Sequence, residues 1–166
     1  MCRFILIGMS GCGKSTIGRA VARKMGLQFI DIDEEIESRH GNITDIFKTQ
    51  GEPRFREIES AEFKRALEKD NSMIATGGGI LGSEYNRRLA SKGTVIFIDR
   101  NIEGIRSSMD ESNRPMLNGK PGMLEKLFND RYMTYKEAMD FTVENNGTEK
   151  ECIEAVCVLV DKVRRG

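Results

Sequence analysis

The sequence predicts an α/β fold, a parallel sheet with helices on both faces, and two observations predict it. Short apolar runs at residues 4–7, 27–32, 73–75, 94–98 and 141–143 alternate with segments of helical composition at 15–25, 52–69, 84–91, 123–139 and 150–163. Strands separated by helices return in the same direction, and a sheet built that way is covered on both sides. The second observation is the string Gly8-Met9-Ser10-Gly11-Cys12-Gly13-Lys14-Ser15, set between the first apolar run and the first helix. A buried strand must stop, turn and start a helix there, which is the opening unit of such a fold.

Taken in order, residues 4–7 are wholly apolar, as a buried strand requires. In the turn that follows, Gly8, Gly11 and Gly13 allow backbone dihedrals that a side chain forbids. Consecutive N–H groups then point at one spot, where the positive end of the next helix adds to the attraction for phosphate. Lys14 is placed to reach β- and γ-phosphates, and the Ser15 hydroxyl suits a Mg²⁺ ion bridging them. The turn therefore predicts binding of a nucleoside triphosphate. Helix 15–25 carries Ile17, Val21 and Met25 on one face, toward the sheet.

Ligands of an open parallel sheet bind beyond the carboxyl ends of its strands, and each of the first three strands delivers something polar there. The second ends in Asp31-Ile32-Asp33, and strand alternation points both carboxylates the same way. One then holds Mg²⁺ through water while the other takes a substrate proton or hydroxyl hydrogen bond. The alternative makes Asp31, Asp33, Glu34, Glu35 and Glu37 an acidic helix start, favoured by the helix dipole. The third strand ends in Thr76-Gly77-Gly78-Gly79, which bares backbone N–H groups and lets a small ligand approach closely. The fourth ends in Asp99-Arg100, either a second metal-holding acid or a helix cap beside a surface charge. The polar stretch 107–121, with two prolines, a glycine and Arg114, reads as a lid over the phosphate site. Arg56, Arg114 and Arg131 supply guanidinium forks for carboxylate or phosphate, and Phe47 and Phe55 are core residues or pocket walls. The last helix sets Ile153, Val156, Cys157, Val160 and Val163 on one buried stripe.

The 166 residues fit a single domain, 1–166, large enough to bury about 70% of the surface of its unfolded chain. Lys plus Arg balance Asp plus Glu at 26 each, so no global charge recruits nucleic acid or an acidic membrane. Cys2, Cys12, Cys152 and Cys157 show no metal-ligand spacing, and His40 is the one histidine, which argues against a metal cluster or a disulfide framework. The chain enters a strand at once and carries no membrane-length apolar run, so a cytoplasmic monomer acting on small molecules is expected. Cys12, at a helix start beside Lys14, is either an oxidation-sensitive thiol or a small loop-filling residue.

The phosphate loop, Asp31-x-Asp33, Phe55-Arg56-x-x-Glu59, Gly77-Gly78-Gly79, Arg114-Pro115-x-Leu117 and Arg131-x-x-x-Tyr135-x-x-Ala138 follow in an order and spacing that resembles the shikimate kinase family. The resemblance runs over nearly the whole chain. It implies a three-layer P-loop fold of the nucleoside-monophosphate-kinase type, with a five-stranded parallel sheet in order 2-3-1-4-5, substrate-binding helices at about 32–63 and a short lid. The reaction it implies moves the γ-phosphoryl group of ATP to the 3-hydroxyl of shikimate, on the route to chorismate and the aromatic amino acids. By the same resemblance Gly11, Cys12, Gly13, Lys14, Ser15 and Thr16 bind ATP, and Ser15 and Asp31 serve Mg²⁺. Asp33 takes the substrate hydroxyl as candidate base, while Arg56, Arg131 and Gly77, Gly78 and Gly79 hold shikimate with support from Glu59. Arg114 reaches the transferred phosphate, and Arg106 and the turn 145–148 resemble the adenine surroundings. The departures are Glu144, where an Asp is frequent, and a turn after it without its usual basic and proline residues. A gluconate kinase of the same fold is the alternative enzyme, and a nucleotide-binding regulatory module the alternative of another class.

Overall fold

The computed structural model describes residues 2–108 and 122–166. Its elements run β1 (Arg3–Ile7), α1 (Lys14–Met25), β2 (Gln28–Asp31), α2 (Ile32–His40), α3 (Ile43–Ala66), β3 (Ser72–Ala75), α4 (Glu84–Ala90), β4 (Thr94–Asp99), α5 (Ile102–Ser107), α6 (Met123–Ala138), β5 (Phe141–Glu144) and α7 (Glu149–Arg165). The strands form one parallel sheet in the order β2-β3-β1-β4-β5. β1 is central, and Phe4, Ile5, Leu6 and Ile7 are completely buried there. Its register, Leu6 opposite Ala75 and Ile7 opposite Phe97, brings the ends of the three inner strands level. On the final helix Ile153, Val156 and Val160 are buried as the stripe predicts, while Cys157 and Val163 pack against the core from its edge.

Three local differences from the sequence reading have physical causes. The second strand stops at Asp31, not at residue 32, because the Asp31 carboxylate caps a helix that begins at the next residue. The helix expected at 52–69 begins at Ile43 and bends at Gly51, whose φ of 81° and ψ of 167° interrupt the coil ahead of Pro53. α5 lies where connecting chain was expected; Asn101 nucleates it by accepting from the Gly104 N–H at 2.8 Å. The expected lid, with Arg114, falls almost wholly outside the described residues.

α2 and α3 stand together at the edge of the site. His40 Nε2 lies 2.9 Å from Glu62 Oε1, and Arg39 Nε lies 3.6 Å from Glu62 Oε2, so the end of α2 is tied to the second half of α3. Phe47 and Phe55 meet across the Gly51 bend with ring centroids 4.6 Å apart. That contact holds the two limbs of α3 at a fixed angle and turns both rings toward one cavity.

Candidate active site

Every strand ends at the same edge of the sheet, and the polar residues that follow converge on two adjoining cavities. The first, about 360 Å³, is floored by the glycine loop with Lys14, Ser15 and Thr16 and walled by Asp31, Thr76, Arg100 and Asn145. The second, about 520 Å³, lies between α2, α3, the glycine turn after β3 and α6, with Arg56, Glu59, Phe47, Phe55 and Arg131 in its wall. Ser10, Asp33, Gly77 and Gly78 belong to both, so they form the boundary across which the two communicate.

The loop has the backbone its glycines predict, with φ of 143° at Gly8, 83° at Gly11 and 101° at Gly13. A Cβ at Gly8 would stand 2.6 Å from the Ile98 carbonyl oxygen, so space as well as dihedral demands glycine there. Lys14 is only 7% exposed. Its ammonium donates to the carbonyls of Gly8 at 2.7 Å and Met9 at 2.9 Å, which fixes the charge over the loop. Cys12 is completely buried, with Sγ 3.6 Å from Lys14 Nζ, and it lines neither cavity. Its N–H is taken by the Met9 carbonyl at 3.1 Å, which makes it the loop-filling residue of the two readings.

Asp31 starts the helix, as the second reading of the acidic segment has it, and also meets the phosphate loop. Its Oδ1 accepts from the N–H groups of Asp33 and Glu34, at 3.0 and 3.3 Å, while its Oδ2 accepts from the Ser15 hydroxyl at 2.5 Å. Strand alternation is not what brings Asp33 to the site. Asp33 sits in the first turn of α2, and the helical turn swings its carboxylate to the boundary between the cavities.

The three glycines after β3 serve space rather than dihedral freedom, since none has a positive φ. A Cβ on Gly77 would meet Glu59 Oε1 at 2.5 Å, one on Gly78 would meet Ser10 Oγ at 2.9 Å and Arg131 Nη1 at 3.2 Å, and one on Gly79 would meet Arg56 Nη1 at 2.6 Å. Gly77 and Gly79 each make room for one of the charged side chains predicted for the substrate, and Gly78 makes room for Ser10 and Arg131. Arg56 is held from behind by Glu59 at 3.1 Å and Glu52 at 3.2 Å. Glu59 is 1% exposed, and burial pushes its carboxyl above the ordinary glutamate range, with Arg56 opposing the rise.

The structure places the remaining candidates differently. Arg106 is exposed at the end of α5, pairs with Glu125 of α6 and lines neither cavity. Asp99 neither caps α5 nor faces the phosphate cavity; its carboxylate accepts from the Tyr132 hydroxyl at 2.9 Å. The arginine beside it does face that cavity: Arg100 Nη1 donates to the Gly11 carbonyl at 3.2 Å and to Ser108 Oγ at 2.6 Å. Asn145, in the turn assigned to the adenine surroundings, donates from Nδ2 to the Cys12 carbonyl at 2.8 Å and so braces the phosphate loop. Nothing in the local pattern distinguishes Arg100 or Asn145 from surface residues. The available signal was their position, immediately after the carboxyl ends of β4 and β5.

Comparison with known proteins identifies the family. Residues 10–160 match the family described as shikimate kinase. A shikimate kinase of Clostridium botulinum is 45% identical over 157 residues, covering 93% of this chain and 94% of the relative. Among solved structures, the shikimate kinase of Acinetobacter baumannii in complex with shikimate superposes with a TM-score of 0.91 at 29% identity, covering 98% of this chain and 94% of that one. The shikimate kinase of Aquifex aeolicus gives 0.84 at 33% identity, with 96% of each chain covered. A gluconokinase of Sinorhizobium meliloti, at a TM-score of 0.62 and 16% identity, shares the fold alone. Sequence match, relatives and site geometry agree: the chain belongs to the shikimate kinase family.

Proposed function

We propose that this chain carries out the family's reaction, ATP-dependent phosphorylation of the 3-hydroxyl of shikimate, with the side chains of the two cavities in specific roles. The observation that carries the reading is the shared boundary at Asp33. A phosphate-binding loop opens on one side of that carboxylate, and a cavity with two guanidinium groups opens on the other. Arg56 and Arg131 suit the shikimate carboxylate, and the apolar walls of Phe47 and Phe55 suit the ring. The substrate hydroxyl then lies next to Asp33, facing the γ-phosphate across the boundary.

In the step itself the 3-hydroxyl oxygen forms a bond to the γ-phosphorus while the bond to the β-bridging oxygen breaks. ADP leaves and the hydroxyl proton passes to the Asp33 carboxylate. Lys14 neutralises charge on the β- and γ-phosphates, and the loop N–H groups hold them in line. Arg114, outside the described residues, is assigned to the transferring phosphoryl group. The Ser15 hydroxyl and Asp31 Oδ2, 2.5 Å apart, are hard oxygen donors of the kind Mg²⁺ takes, and they are the residues that would hold it. When bound, the ion supplies charge neutralisation between the β- and γ-phosphates.

One kinase unit spanning the whole chain, acting as a cytoplasmic monomer, accords with these features. The four cysteines are free, as a reducing compartment favours. The exposed large apolar side chains Tyr85, Met133 and Val158 are scattered over three helices. Among the described residues no helix is long and apolar enough to cross a membrane.

The test is ADP release from Mg-ATP with and without shikimate, with gluconate and AMP as controls. Strong release with shikimate alone is the expected result. Equal release with gluconate would favour the alternative kinase, and none from folded, ATP-binding protein would sink the reading.

A further inference from the structure

Tyr135 lies one helical turn after Arg131 on α6, 1% exposed and packed on Phe97 with ring centroids 5.2 Å apart. So large a side chain needs no function beyond filling space, but its hydroxyl has a definite partner. It donates to the Gly78 carbonyl at 2.5 Å, in the middle of the glycine turn. Among the described residues no backbone N–H reaches that carbonyl, although the carbonyls of Gly77 and Gly79 on either side each accept one. Arg131, one helical turn earlier on α6, comes to the same glycine: its Nη1 stands 3.2 Å from where a Cβ on Gly78 would be. The Arg131 guanidinium and the Tyr135 hydroxyl thus meet at Gly78. Burial pushes the phenol well above its ordinary range, so it remains a donor.

We infer that Tyr135 is a positioning residue for the acceptor substrate: its hydroxyl sets the Arg131 guanidinium over the glycine turn, and with it the affinity for the substrate's carboxylate. The inference rests on the assignment of Arg131 to that carboxylate. The physical reason is that a guanidinium recognises a carboxylate through two parallel hydrogen bonds, which fail when the fork is displaced or rotated. Arg131 is on a helix and Gly78 on a turn, so their relative placement needs a tie between the two elements. Tyr135 provides it from a position that touches neither shikimate nor ATP; it lines neither cavity.

Tyr135→Phe tests this, because the ring and its packing on Phe97 are kept and the hydroxyl alone is lost. The expected result is a rise in shikimate KM of about tenfold, with kcat and ATP KM within about twofold. In an Arg131→Ala background the same change should add less than about twofold, since the group it positions is gone. The shift in Tm that shikimate produces without ATP should shrink in Tyr135→Phe, a readout independent of turnover. An unchanged shikimate KM, or the full tenfold effect repeated without Arg131, would overturn the inference. If Arg131→Ala by itself leaves shikimate KM unchanged, the assignment of Arg131 fails first and the role of Tyr135 falls with it.

Discussion

The nucleotide half and the acceptor half of this site are built on different principles. The proposed phosphate site is one continuous stretch, the loop from Gly8 to Ser15, whose lysine is anchored on the loop's own carbonyls. The acceptor cavity draws Asp33 from α2, Arg56 and Glu59 from α3, three glycines from the turn after β3, and Arg131 from α6. Its precision comes from side chains seated on glycines and braced by other side chains. A local device tolerates change elsewhere in the fold, whereas an assembled one transmits any displacement of its supporting elements. Substitutions in the two halves should therefore fail in different ways.

The largest effect is expected from Lys14→Met, which removes the charge and keeps most of the volume. Turnover should fall by about 10³-fold, the order seen when a preorganised charge at the transferring group is lost. Shikimate binding should survive, read as the shift in Tm on adding shikimate without nucleotide. Loss of that shift together with turnover would mean that the halves are not separable as the geometry suggests.

A smaller and more selective effect is expected from Gly79→Ala. The added methyl would stand 2.6 and 2.8 Å from the two terminal nitrogens of Arg56, so the guanidinium must move. Shikimate KM should rise about tenfold, with ATP KM within about twofold, as initial-rate kinetics with each substrate varied would record. Parallel rises in both constants would place the glycine turn in the nucleotide half instead.

The same contrast explains what the sequence made legible. The nucleotide half could be read because its parts are neighbours in the chain, and a motif of eight residues states the whole device. The sheet was readable for a similar reason: each buried strand is a short apolar run between helical segments, and the strand order followed from the family resemblance. The acceptor half was readable only as residue types. Arg56, Glu59, Arg131 and the glycines were identified, but nothing in their spacing says that Gly77 makes room for Glu59 and Gly79 for Arg56. Asp33 was identified for a geometric reason that does not hold, since the chain is already helical at Ile32. The contacts of Arg100 and Asn145 with the phosphate loop were illegible, although the turn at Asn145 had been singled out, because their partners, the carbonyls of Gly11 and Cys12, lie some hundred residues away and carry no side-chain signature.

The smallest expected effect concerns the buried Glu59, and it is peculiar to the acceptor half. Burial makes the folded protein hold the Glu59 proton more tightly than the unfolded chain does, despite the opposing attraction of Arg56. Its contribution to stability is therefore present below the ordinary glutamate value of 4.5 and is lost as pH rises through the higher folded value. Glu59→Gln removes that titration and retains a side chain that can hydrogen-bond Arg56. The Tm of the wild-type protein minus that of Glu59→Gln should thus decline as pH rises above 4.5, by about a few degrees at most. Measuring the difference between the two proteins cancels every other group that titrates in both. A difference that grows with pH would mean that the arginines prevail over burial, with Glu59 held as an ionised partner of Arg56. The acceptor cavity would then carry a full negative charge beside the guanidinium groups that must receive the shikimate carboxylate. The sign of this small slope decides whether the two arginines meet the substrate as a pair of positive charges or as a half-neutralised one.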